Sequence, residues 1–137
     1  MTTRRRLYPL ALPILVLAIA ILACGTGYKT STRIYGLSGV VRVQIKEANG
    51  VYTNSVEINE DWSQERFSAT VTLSVSAGSC RAILSGNENT SIILDVGEGS
   101  PTEAYGDLVT DSFGEVSLET DCQDAQNLDL TINFTLK

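Results

Sequence analysis

Histidine is absent from the 137 residues. That removes the usual general base at neutral pH and the commonest transition-metal ligand. It also rules out Ser–His–Asp and Cys–His catalysis. Basic residues run out along the chain: after Arg81 the next is Lys137, and eleven acids lie between them. A surface of that sign repels phosphate backbones and disfavours nucleic acid as a partner. No P-loop, GxGxxG or CxxC pair occurs, so neither enzymatic activity nor a cofactor is expected. Tryptophan appears once, and the only long apolar run lies at the N-terminus.

What is present divides into a leader and a body. The leader carries Arg4, Arg5 and Arg6 and no acid, whereas from Cys24 onward seven basic residues face sixteen acids. The body is of ordinary single-domain size. The hydrophobic fraction of 43% is that of a globular chain. The arginines are followed by an apolar stretch from Leu7 to Ala23, interrupted by Pro9 and Pro13. It is short for a spanning helix, which needs about 20 residues.

The junction "ILAC", Ile21 to Cys24, resembles the lipobox of bacterial lipoproteins, with an apolar residue, a small residue before the cut, and then cysteine. The resemblance implies a signal peptide over residues 1–23, a diacylglyceryl group on the Cys24 thiol and cleavage before it. Two alternatives remain open. Ala18 and Ala20 form an A-x-A pattern for ordinary secretion, and an uncleaved helix would act as an anchor with its arginines inside. All three place the body outside the cytoplasmic membrane, at the cell envelope, with the membrane as a partner through Cys24. Residues 24–38, rich in Gly, Ser and Thr, read as a flexible tether.

Residues 39–137 are written in period two. Val41, Val43 and Ile45 alternate with polar neighbours; Asn49-Gly50 reads as a hairpin turn, with Tyr52, Val56 and Ile58 on the return. Phe67, Ala69, Val71, Leu73 and Val75 share one parity. So do Cys80, Ala82 and Leu84, then Val116, Leu118 and Cys122. Leu128, Leu130, Ile132, Phe134 and Leu136 show the cleanest alternation. "SIILDV" reads as a short buried strand, and "GEGSPTEAYGD" as a long loop. One-sided alternation in about seven strands predicts an all-β antiparallel two-sheet sandwich, immunoglobulin-like or jelly-roll. A small β-barrel is the alternative.

With Cys24 lipidated, Cys80 and Cys122 remain as an even pair in an oxidising compartment, and a disulfide is expected. No tryptophan lies between them, so the immunoglobulin signature is missing. Asp95, Glu98, Glu103, Asp107 and Asp111 crowd a loop-rich region and are candidate calcium ligands, though their spacing fits no EF-hand. Tyr52, Trp62 and Tyr105 are candidate glycan contacts, with Trp62 equally readable as a plug at the sandwich end. Asn89-Thr90-Ser91 and Asn133-Phe134-Thr135 match the glycosylation sequon. The leading expectation is a non-enzymatic structural, adhesive or accessory module. It would self-associate by strand addition if the C-terminal strand lies at an exposed edge. The alternative is a glycan- or calcium-binding module.

Overall fold

The computed structural model describes residues 27–137. Cys24 and the leader lie outside the described residues. Seven strands follow in order: β1 (Lys29–Tyr35), β2 (Ser38–Glu57), β3 (Arg66–Ser74), β4 (Ala77–Ser85), β5 (Ser91–Gly97), β6 (Thr102–Val109) and β7 (Glu115–Leu136). Every ladder is antiparallel. No helix among the described residues is long and apolar enough to cross a membrane.

The architecture turns on two long strands. β2 has 20 residues and β7 has 22, and they pair along nearly their whole lengths. Both serve two layers. One layer runs β1, the first half of β2, the second half of β7, β3 and β6. The other runs the second half of β2, the first half of β7, β4 and β5. The ladder between β2 and β7 slips register at Ala48/Gly50. There the buried positions of β2 change from odd, at Val41, Val43 and Ile45, to even, at Ala48 and Val56. In β7 the buried positions Cys122, Ala125 and Leu128 are three apart, and Asp124 and Asn127 between them have positive φ. Extra residues of this kind bend a strand and raise its twist. The two strands therefore fold over together, and their apolar faces meet as one core.

The expected antiparallel sandwich is thus present, with differences in how the chain is cut into strands. Asn49-Gly50 is no hairpin. A type I′ turn needs positive φ at both residues, and of the two only Gly50 has it, at 98°. Its bulge keeps the strand going. The two alternating runs at the C-terminal end are likewise one strand, β7. The tether assigned to residues 24–38 is corrected: Lys29–Tyr35 form β1, paired residue by residue with β2 from Tyr35↔Ser38 to Lys29↔Gln44. Every β1 position is exposed, so no apolar period marked it. The loop expected around Pro101 is shorter, because Thr102–Val109 form β6 against β3. β5 and β6 touch, with Thr102 Oγ1 donating to the Asp95 carbonyl at 2.8 Å, but no ladder joins them and the sheet does not close into a barrel.

The core is aliphatic, with an aromatic cluster at one end. Phe67, Leu73, Leu84, Leu94, Leu118, Leu130 and Ile132 are fully buried, each contributing on the order of 1.5–3 kcal/mol. Trp62 sits edge-on to Phe134 at 5.5 Å between centroids and tilted to Phe67 at 6.3 Å. Gly39 is required here, because a Cβ would lie 2.5 Å from Phe134 Cζ. The Trp62 segment is pinned by Thr110, whose Oγ1 donates to the Trp62 carbonyl and accepts from Glu65 N at 2.9 Å. Cys80 and Cys122 form a disulfide between directly opposed residues of β4 and β7, within one layer.

Candidate functional site

Side chains alternate across a strand, so register fixes which residues share the solvent face of the β1–β2–β7–β3–β6 layer. One row across the five strands reads Arg33, Val40, Asn133, Thr70, Tyr105. The next reads Tyr35, Ser38, Thr135, Ser68, Asp107. Between them lies an open groove of about 470 Å³ bounded by Tyr35 and Tyr105 and floored mainly by Ser38, Val40, Ser68, Thr70, Asn133 and Thr135. Tyr35 is 64% exposed and Tyr105 72%. They stand on the two outermost strands of the layer, four strand spacings or about 19 Å apart.

The floor offers hydroxyl and amide groups with few internal commitments. Ser38 Oγ and Thr135 Oγ1 share one hydrogen bond at 3.1 Å. At the β6 end, Ser68 Oγ donates to Asp107 Oδ1 at 3.3 Å and Lys137 Nζ donates to Asp107 Oδ2 at 2.7 Å. The Lys137 hydrogen bond, offset by partial desolvation, holds the Asp107 carboxyl below its ordinary range. A depressed carboxyl keeps its contacts above its unfolded pKa and loses them as pH falls through the folded value. The Asp107–Lys137 ion pair is therefore expected to hold from neutrality down to about pH 4 and to be lost only below that. Titration of the Asp107 side-chain carbon by NMR reads this directly.

A second hollow, of about 480 Å³, lies on the other layer beside Ser79, Arg81, Asp95, Asp121 and Gln123. No aromatic residue lines it. Arg81 is committed to Asp95 through two hydrogen bonds, at 2.7 and 3.2 Å, and this pairing lowers the Asp95 pKa. It offers less to a ligand than the tyrosine-bounded groove.

The structure separates most of the sequence-predicted site residues. Of the three aromatic candidates, Tyr105 is in the groove. Trp62 is 7% exposed and packs in the core as the sandwich-end plug. Tyr52 lies on the second half of β2, its hydroxyl donating to the Asn49 carbonyl at 2.8 Å. The five candidate calcium ligands do not converge. Asp95 pairs with Arg81 and Asp107 with Lys137, while Asp111 Oδ1 accepts from Phe113 N and Glu115 N. Among the described residues no three acids gather to hold a metal. The C-terminal strand is not at an edge: β7 is paired on both sides, with β2 and with β3 or β4, so the condition for self-association through it is not met. Sequence reading missed Tyr35, which lay in the supposed tether, and the Ser/Thr/Asn floor, which read only as the wet side of strands.

The fold and groove define an antiparallel β-sandwich with an open, tyrosine-bounded sheet face. No protein-family model and no curated protein matches the sequence. Solved structures of similar shape include the CBM22-1 xylan-binding domain from Paenibacillus barcinonensis Xyn10C, at 12% identity and TM-score 0.36, covering 81% of this chain and 82% of that one. Another is the carbohydrate-binding module CBM6cm-2 of Cellvibrio mixtus lichenase 5A, at 13% identity and TM-score 0.35, covering 80% and 87%. Peruvianin-I, a cysteine peptidase from Thevetia peruviana latex, is similar at 10% identity and TM-score 0.39, covering 80% and 62%. Similarity at this level assigns no function and no site.

Proposed function

We propose that this protein is a non-enzymatic, lipid-anchored envelope module that binds a linear, neutral glycan across the solvent face of the β1–β2–β7–β3–β6 layer. One observation carries the reading: two exposed tyrosines, Tyr35 and Tyr105, bound a groove floored by hydroxyl and amide side chains. Sugar rings present apolar C–H faces that stack on aromatic rings and hydroxyls that trade hydrogen bonds with such a floor. The carboxylate beside the groove, on Asp107, is paired with Lys137, which suits an uncharged ligand. An open groove of this length takes a short internal stretch of chain rather than a chain end. The export and anchoring part of the reading rests on the Ile21–Cys24 junction and on a disulfide that fits an oxidising compartment. Intact mass of the native protein tests it.

Screening against neutral oligosaccharides followed by calorimetry tests the binding. Tyr35→Ala and Tyr105→Ala are each expected to weaken affinity about tenfold, the equivalent of about 1.4 kcal/mol. Both side chains are exposed, so neither substitution should change the melting temperature appreciably. Unchanged affinity in both variants would refute the groove as the binding site.

A further inference from the structure

Charge in the described residues is divided by strand. Residues 29–47, covering β1 and the first half of β2, hold Lys29, Arg33, Arg42 and Lys46 against the single acid Glu47. Residues 48–137 hold three cations, Arg66, Arg81 and Lys137, against fifteen acids. Each of those three is tied to a carboxylate, on Glu88, Asp95 and Asp107 respectively. Arg42 is tied to Asp129. Among the described residues, Lys29, Arg33 and Lys46 form no salt bridge. Among the described residues, the positive charge outside salt bridges thus lies on the first two strands, beside a sheet edge that is exposed along its whole length.

The second observation is a length. β1 begins at Lys29, so four residues separate it from Cys24. Fully extended, that connection reaches at most about 17 Å. A lipid on Cys24 would therefore hold the start of β1 close to the headgroups, where the supposed tether would have left the domain free.

We propose that the β1 edge, through Lys29, Arg33 and Lys46, is a membrane-facing surface that binds the anionic headgroups of the bilayer in which Cys24 is anchored. The inference rests on the lipid-anchor reading of Cys24. Three cations with no carboxylate to displace meet an anionic surface directly, and the acid-rich remainder of the domain is repelled by it. The same charges discourage β1 from pairing with a β1 of another copy, because basic edges resist strand addition. The arrangement also places the groove. Lys29, Arg33 and Tyr35 share one parity of β1, so the membrane contact lies on the β1 side of the groove. Tyr105, on β6, stands four strand spacings away from it.

The test is NMR of the full chain in nanodiscs carrying a paramagnetic headgroup lipid. Phosphatidylcholine alone is compared with a mixture containing phosphatidylglycerol. With the anionic lipid, broadening should concentrate at residues 29–33 and 44–46 and spare Tyr105. With phosphatidylcholine alone it should spread over the domain surface, and the Lys29→Gln/Arg33→Gln/Lys46→Gln variant should show that same spread in both lipids. Added salt should abolish the contrast. Even broadening of a lipidated chain in both lipids overturns the surface while leaving the anchor. So does pairing of β1 with a second copy, read from contacts between chains. Intact mass of the same sample reads the lipid separately, and a chain without it overturns the anchor and this proposal together.

Discussion

Replacing Cys80 and Cys122 by alanine is expected to cost about 4 kcal/mol of stability, for the bond closes a loop whose ends are 42 residues apart. Against a typical total of 5–15 kcal/mol, that is a large share. In a domain of about this size it corresponds to a fall in melting temperature of roughly 15–30 °C. The position adds to the effect. Both sulfurs are buried, at 4% and 1% residue exposure, and they face the shared core beside Ala82 and Leu118. Two alanines would leave a void where the bond was. Thermal unfolding of the oxidised protein, the reduced protein and the double variant measures it. A double variant melting within a few degrees of the oxidised protein would refute the estimate.

Trp62→Ala is the second large effect. The indole closes the open end of the sandwich against Phe67 and Phe134. Removing it should cost about 3–5 kcal/mol, the range for truncating a large aromatic side chain in a core. Trp62→Phe keeps most of the ring volume and should cost less. Under the proposed glycan reading, the folded fraction of either variant should keep the affinity of the unsubstituted protein, since Trp62 does not line the groove. Calorimetric stability and oligosaccharide affinity on the same samples separate the two roles. Lost affinity at unchanged stability would return Trp62 to the surface.

These expectations also mark what could be read from the chain before its structure. The alternation of Phe67 to Val75 and of Leu128 to Phe134 identified buried faces because one side of each strand is dry. It also placed Cys80 and Cys122 on the core side. Alternation was silent for β1, where no face is buried. It was weak for β6, where half-buried Thr102 and Ala104 replace large apolar residues. It also misread continuity. A bulge at Gly50 and the positive-φ residues Asp124 and Asn127 use the same residue types as turns, and only tertiary pairing distinguishes a strand that bends from one that ends. The groove escaped for a related reason. Its floor comes from three strands distant in sequence, and register alone brings Ser38, Ser68 and Thr135 into line.

The order in which the strands are made has a consequence for folding. β2, β3 and β4 all pair with β7, and β7 follows every other strand along the chain. Until residues 115–136 have emerged, neither layer has its central strand, and only the pairings β1–β2, β4–β5 and the longer-range β3–β6 can form. Contacts that span most of the chain are slow to assemble. A chain of this design therefore completes both layers in one late step, when its last strand arrives.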